Sequence, residues 1–379
     1  TTMPVVVTER ARRLHESCLV FDGHCDLPWN IYKALEKGAA DVDLSKPVPD
    51  FQADIPRMRA GGLGAIFLAA YAPPSTMQTG GAARITLDQI DIIHRLVRRY
   101  PETFALACTA DEVLAARKQG RIALLIGVEG GHSIENSLGV LRMFHALGVR
   151  YMTLTHEEST DWCDAAMGEP RHGGLSPFGE QVVAEMNRLG MIPDISHVSA
   201  EAMRDVLRVS KAPVIASHSS AHAMAAHPRN LPDDVLAGIK AGGGVAMANF
   251  FSGYIEPRAA AITLQASAVM RDLKRRFPDE EQFREVRRAW QAANPLPRGT
   301  AHTLVDHLDH MVRVAGVEHV GIGSDFGGVN VLPEQLDDIS CYPYITQVLL
   351  DRGHREADIR AILGGNMLRA LRQTAVAAQ

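Results

Sequence analysis

No stretch of the sequence is apolar for long enough to cross a bilayer, so it offers no candidate membrane-spanning helix. It has no basic run or basic stripe, and with 39 Lys and Arg against 44 Asp and Glu the net charge is -5. Nucleic acid and anionic membrane surfaces are therefore poor candidates for partners. Cysteine is sparse. Cys18, Cys25, Cys108, Cys163 and Cys341 are odd in number and contain no CxxC pair. That argues against a disulfide framework and against a thiolate zinc site, and it is compatible with a reducing compartment. Residues 1–13 lack the apolar stretch of a secretory signal. The chain does not begin with Met: either Met3 is the start, or a leader has been removed. A cytoplasmic setting is favoured, and a secreted or periplasmic one follows if a leader was removed. What the sequence does hold in quantity is histidine, 16 in 379 residues, and apolar residues, 46% of the chain. The latter is ample for a buried core.

Eight apolar, β-branched or Gly/Ala-rich segments have strand length: Cys18–His24, Leu63–Tyr71, Arg121–Glu129, Val149–His156, Met191–His197, Ala212–His218, Gly243–Phe250 and His319–Asp325. Helical patterns separate them. Leu87, Ile90, Ile93, Leu96 and Val97 recur at helical spacing, as do Leu138, Leu141, Phe144 and Leu147 before Gly148, and Phe178, Val182, Met186 and Leu189 before Gly190. The run from Leu304 to Val314 before Gly316 does the same. Strand alternating with helix implies a parallel sheet, and eight repeats imply closure into a (β/α)₈ barrel. The alternative, an open doubly wound sheet, would normally carry a Gly-rich phosphate turn after its first strand, and none is present. Two stretches interrupt the repeat: a long polar connection at Ile31–Phe51, and an insert at about 256–300 after the seventh strand, rich in charge and expected as exposed helices. Both follow strand C-terminal ends, so both are expected over the barrel mouth. Residues 1–379 are expected to form one domain.

The ionisable residues gather at the expected strand ends. His24 and Asp26, two apart, share a face, with Cys25 on the other. Imidazole and carboxylate on one face make a metal-binding pair. Glu129 follows the apolar run Ile122–Ile126, and a buried charge must be paired or bound to metal. His156, His197, His218 and Asp325 close four further strands. A lone strand-end histidine is usually structural. Four histidines and three carboxylates at one end of a parallel barrel, the end where such barrels build active sites, imply a metal site instead. Imidazole and carboxylate without thiolate favour Zn²⁺, and Mn²⁺ or Co²⁺ suit the same donors. Seven donors exceed the needs of one ion. Two metals about 3.5–4 Å apart can share a hydroxide and polarise a carbonyl. Glu129 is suited to bridging them, Asp325 to carrying a proton from the bridging water to a leaving amine, and His156 to binding a developing oxyanion.

These segments resemble the renal (membrane) dipeptidase family of the amidohydrolase superfamily, from about Val20 to Gly364-Gly365-Asn366. The matching runs include Asp22-Gly23-His24-Cys25-Asp26-Leu27-Pro28, Glu129-Gly130-Gly131-His132-Ser133, Leu154-Thr155-His156, Ser196-His197 and Ser217-His218-Ser219-Ser220-Ala221. Arg229-Asn230-Leu231-Pro232-Asp233-Asp234, Asn249-Phe250 with Tyr254, and Gly321-Ile322-Gly323-Ser324-Asp325-Phe326 follow. The resemblance implies two zinc ions: His24 and Asp26 on one, His197 and His218 on the other, Glu129 bridging. It implies His156 at the scissile carbonyl, Asp325 as proton shuttle, Arg229 on the substrate's terminal carboxylate, Tyr254 lining the substrate site, and a C-terminal residue that can be D. Three places depart from the family pattern. Cys25 stands where Asn is usual, Gly327 where a second Asp is frequent, and Glu157–Asp161 replaces an Asn-rich run. The last two put side-chain preference, not the metal site, in question.

The expected function is thus zinc-dependent hydrolysis of L-Xaa-L-Xaa or L-Xaa-D-Xaa dipeptides by a metal-bridged hydroxide. A homodimer stays open. The alternatives are another amidohydrolase reaction, on an N-acyl amino acid, cyclic amide or β-lactam, or a catalytically silent metal-binding relative. Other conspicuous residues carry plainer expectations. His222 and His227 are expected as solvated or structural, His132 as a partner for backbone near a helix start, and His302, His307 and His310 as helical and far from the mouth. Asp233 and Asp234 are expected to begin a helix. The competing role for Arg229 is an ion pair with one of them that merely holds the loop.

Overall fold

The computed structural model describes residues 3–378; residues 1, 2 and 379 of the expected span lie outside them. The strands are β1 Val20–Cys25, β2 Leu63–Tyr71, β3 Phe104–Leu106, β4 Ile122–Glu129, β5 Val149–Thr153, β6 Ile192–Asp194, β7 Ile215–Ala216, β8 Val245–Ala248 and β9 Val320–Ile322. All their pairings are parallel. β1 pairs with β2 and β9, and β2 pairs with β4, so eight strands close on themselves with β3 as an extra. Helices surround them: this is the (β/α)₈ barrel. Phe21, Phe67, Leu125, Tyr151, Ile192, Ile215, Val245 and Met247 pack as one cluster inside it, and a larger apolar layer joins barrel to helices.

β3 differs from expectation. It pairs with β4 at Ile122–Leu124, below the level at which β5 begins to pair at Ile126. Three residues carry too little periodicity to announce a strand. The expected polar connection at Ile31–Phe51 is also corrected: its first part belongs to a helix, Leu27–Glu36, with Pro28 in the first turn. Leu27, Ile31 and Leu35 recur at one-turn spacing and pack inward. Gly148 and Gly190 end their helices with φ of 107° and 76°, the left-handed cap that glycine adopts without strain. After β8, the seventh barrel strand, the insert holds two helices, Pro257–Arg276 and Glu280–Ala293.

The ladders of β5, β6 and β7 end before His156, His197 and His218, which were expected inside them. The backbone leaves extended geometry at the mouth. His197 has φ 68° and Asp325 φ 64°. Left-handed backbone at a non-glycine residue costs free energy and concentrates where function fixes a side chain. β1 does this by a different device. Its register against β2 slips between Asp22 and Cys25, a bulge that adds one residue to one strand and reverses which face follows. Phe21 points into the barrel below the slip, and His24, three residues on, reaches the same interior above it. Cys25 is turned into the outer apolar layer, where burial pushes its thiol well above the usual range.

Candidate active site

The inward residues of the mouth converge on one oxygen. Glu129 ends β4 with its Oε1 at 3.1 Å from His197 Nε2, 3.3 Å from His218 Nε2, 3.5 Å from His24 Nε2 and 3.9 Å from His156 Nε2. Asp26 Oδ2 lies 3.4 Å and Asp325 Oδ1 4.0 Å from His24 Nε2. Glu129 and its close neighbours are buried, with His24 and His218 at 0% exposure. All seven mouth residues expected from the sequence are therefore brought together.

The layer beneath fixes how the rings point. Asp194 accepts from Ser217 Oγ at 2.5 Å, and Ser217 Oγ lies 2.7 Å from His218 Nδ1. A hydroxyl that donates to the carboxylate must accept from the ring, so Nδ1 carries the proton and Nε2 turns a lone pair to the centre. Tyr151 OH holds the His24 ring, at 2.7 Å from its Nδ1. Its ring has room because Gly127, its partner in the β4–β5 register, has no side chain: a Cβ there would lie 2.2 Å from the ring. Asn249 Nδ2 donates to Asp325 Oδ2 at 2.9 Å. Tyr151, Asp194 and Ser217 were not foreseen as part of the site. The one signal for Tyr151 was a glycine and a tyrosine facing each other on neighbouring strands.

The electrostatics ask for cations. Burial pushes the Asp325 carboxyl well above its usual range, and the neighbouring Asp26 adds to the rise. Burial likewise raises Asp26, helped by Glu129. Burial opposes ionisation of Glu129 too, but the imidazoles of His24, His197 and His218 around it hold it well below the usual range. His197 Nε2 and His218 Nε2 face each other at 3.0 Å, while His24 Nε2 is buried with no hydrogen-bond partner. A cluster of lone pairs and buried carboxylates is a good cation site and a poor empty one. Three overlapping donor sets could hold metal: His24, Glu129 and His218; Glu129, His156 and His197; His24, Asp26 and Asp325. His156 and Asp325 thus belong to donor sets that could hold metal, and both also line the cleft above.

Arg229 sits beside this cluster on the connection after β7. It is 1% exposed. Nη1 donates to Ser219 Oγ at 3.1 Å and Nη2 to the His218 carbonyl at 3.2 Å, while Nε has no partner. Its guanidinium carbon lies 5.2 Å from the Tyr254 ring centre. Among the described residues no carboxylate pairs with it. The two carboxylates expected to compete for it, Asp233 and Asp234, are engaged elsewhere, with His310 and Arg204 respectively, both at 2.7 Å.

The cleft over this cluster has a volume of about 230 Å³ and is walled by Trp29, Tyr71, His156, Glu157 and Tyr254. It opens at Tyr254, Glu157 and Gly327–Val329 into a larger cavity of about 710 Å³. Met270 and Arg271 of the insert line that outer space, so the insert does stand over the mouth. His132 and His307 take the structural parts expected of them, on the Ala72 and Ile255 carbonyls respectively. His222 is exposed, but His227 is buried at 1% exposure, contrary to a solvated role.

The family model for membrane dipeptidases, peptidase family M19, matches residues 8–379. The chain belongs to that family. It is 38% identical to dipeptidase verJ of Clonostachys rogersoniana over 372 residues, covering 96% of this chain and 86% of that one. It is also 38% identical to dipeptidase 3 of Mus musculus over 370 residues, covering 96% of this chain and 66% of that one. Among solved structures, the probable dipeptidase PvdM from Pseudomonas aeruginosa superposes with a TM-score of 0.87 at 27% identity, over 98% of this chain and 99% of that one. A metallopeptidase from Rhodobacter sphaeroides, solved with a phosphinate mimic of L-Ala-D-Ala, shares the fold with a TM-score of 0.76 at 24% identity, over 94% and 99%. This membrane-dipeptidase relative is thus a hydrolase of a metallopeptidase family, and its closed parallel barrel is the family's fold.

Proposed function

We propose that this family member is a zinc-dependent dipeptidase with two ions per chain. His24 and Asp26 would hold one, His197 and His218 the other, with Glu129 between them. Metal bound there supplies Lewis-acid polarisation of the amide carbonyl and lowers the pKa of a water. The chain's own groups do the rest. Arg229 orients the dipeptide through its terminal carboxylate, and Tyr254 walls the same end. His156 donates from Nε2 to the carbonyl oxygen as negative charge develops on it. Asp325, one oxygen held by Asn249 Nδ2, takes a proton from the attacking water and returns it to the leaving amine.

The observation that carries this reading is Arg229. A guanidinium buried without a carboxylate partner, next to a converging His and carboxylate cluster, is a site prepared for an anion at one fixed distance from the chemistry. The phosphinate mimic of L-Ala-D-Ala bound by the Rhodobacter relative supports small dipeptides, with a D residue tolerated at the second position. The test is turnover of a panel of L-L and L-D dipeptides and N-acetyl amino acids, with zinc content measured alongside. Preference for N-acetyl amino acids over every dipeptide would favour the acylase alternative and defeat this one.

A further inference from the structure

His227 is a buried histidine to which neither the metal centre nor the proposed chemistry gives a task. Its Nδ1 accepts the Arg229 backbone N–H at 3.1 Å. Burial, with the Arg229 charge adding, lowers its pKa to about 4, so the ring is neutral in ordinary conditions. A neutral ring that accepts at Nδ1 must carry its proton on Nε2. That Nε2–H is buried and has no partner. The structural histidines of this fold behave otherwise. His15 and His307 each engage both ring nitrogens. His132 leaves only Nδ1 unpaired, with Nε2 on the Ala72 carbonyl, and an idle acceptor is a lesser fault than an idle buried donor.

The unused donor does not stand alone. Arg229 Nε, two residues on, is also buried and unpartnered. The Tyr254 ring lies 4.8 Å from the His227 ring and 5.2 Å from the Arg229 guanidinium carbon. His227 and Tyr254 line the larger cavity, and Tyr254 also walls the cleft over the metal residues. Two unsatisfied donors, one of them charged, therefore pack against the Tyr254 ring, which lies where cleft and cavity meet, and His227 itself lines the cavity.

We infer that His227 is a second reader of the substrate's terminal carboxylate, donating from Nε2–H to one carboxylate oxygen while Arg229 binds the other. This rests on the dipeptidase reading given above. It makes His227 a specificity-determining residue: it contributes to holding the free acid and nothing to bond cleavage. It also places the side chain of the C-terminal residue at the entrance to the larger cavity, beside Tyr254.

Two near-isosteric variants separate this role from a loop-holding one. His227→Asn puts its amide oxygen where Nδ1 was, keeping the acceptor for Arg229 N–H and losing the distal donor. His227→Gln carries an amide N–H out to the Nε2 position and gives up the proximal acceptor. KM and kcat are measured for the preferred dipeptide of the panel and for its C-terminal amide, in wild type and both variants, with zinc content and Tm as checks on folding. Loss of one hydrogen bond to a charged group predicts a KM for the free dipeptide about tenfold higher or more in His227→Asn, with kcat nearly held. The Gln variant should stay within about threefold of wild type, since its donor is restored. The amide should be indifferent to both changes. A loop-holding role predicts the reverse order, Asn near wild type and Gln impaired, and that order overturns the inference. So does failure of both variants to fold. If one fails, the other decides: Gln with wild-type KM supports the donor, and Asn with wild-type KM refutes it. The dipeptidase reading fails separately, if wild-type enzyme cleaves acid and amide equally well.

Discussion

Replacing Arg229 with Met keeps much of the side chain's length and removes its charge. The scaffold should tolerate this well. Ser219 Oγ, which Nη1 contacts, keeps a bond to Ser196 Oγ at 3.0 Å, and the His218 carbonyl, which Nη2 contacts, still accepts from Asn249 Nδ2 at 3.3 Å. Neither group is orphaned, so no large buried-polar penalty follows. The loss falls on the substrate. A charge-assisted hydrogen bond is worth about 1.5–3 kcal/mol, and a guanidinium facing a carboxylate can make two. kcat/KM for a free dipeptide should drop by about two powers of ten or more, at about 1.4 kcal/mol per tenfold. The C-terminal amide of the same dipeptide lacks the anion and should lose little from its already poor rate. Zinc content should not fall, because the removed charge is positive and repels metal. The assay is parallel kinetics on acid and amide with both proteins. Equal fractional losses on the two substrates would show that Arg229 shapes the loop and does not read the carboxylate.

Asp325→Asn should keep fold and metal yet lose kcat by about 10²–10⁴-fold, the usual worth of a positioned proton carrier; near-normal kcat would move that role elsewhere. Elemental analysis of metal-replete protein should find about two zinc ions per chain, and a firm stoichiometry of one would remove the binuclear reading. Gly328→Ala should cost tenfold or more in kcat, as misplacement by about an ångström can, because its Cβ would stand 2.4 Å from Asp26 Oδ2 and 2.5 Å from Asp325 Oδ1; steady-state kinetics unchanged from wild type would refute the crowding. His307 is pushed down by burial to about 4 from 6.5. The unfolded chain takes up that proton first, so stability is full above pH 6.5 and falls as pH drops toward 4, by up to about 1.4 kcal/mol per pH unit from this group. Urea unfolding of His307→Asn should show a shallower fall over that window than wild type, and identical slopes would exclude the contribution.

What the chain shows of this architecture before folding is uneven, for physical reasons. The barrel was legible because each long strand is a nearly unbroken apolar run and each helix a 3.6-residue repeat; β3 escaped because three residues have no period. The seven mouth residues were legible because an ionisable side chain that ends a buried apolar run must find a charge partner or a metal there. Their exact staging was not. Simple alternation along β1 from the inward Phe21 would turn His24 out and Cys25 in; the slip after Asp22 reverses that, and no side-chain pattern announces a bulge. The same applies to the left-handed backbone at His197 and Asp325, which conceals itself in ordinary-looking Ser-His and Ser-Asp pairs.

The departures at Gly327 and Glu157 show the same division between what side chains declare and what backbone decides. An Asp at 327 was expected from the family pattern, and its absence looked like a change in substrate preference. In the fold Gly327 has φ 88°, and a Cβ there would meet Asn30 Oδ1 at 2.6 Å. Asn30 Nδ2 in turn donates to the Gly327 carbonyl at 3.1 Å. The glycine therefore answers to a local turn clamped by Asn30, and its effect on substrate is confined to leaving that wall of the cleft bare. Glu157 is different. It lines both the cleft and the larger cavity, on a free edge where no packing dictates its identity. Of the two departures it is the one positioned to alter which side chains this enzyme accepts. Glu157→Gln should shift kcat/KM between dipeptides with cationic and anionic side chains in opposite directions, each by about threefold to tenfold as suits an exposed charge in water. Adding salt should shrink that difference. If the two classes of dipeptide respond alike, Glu157 does not face the substrate and the preference is set deeper in the cleft.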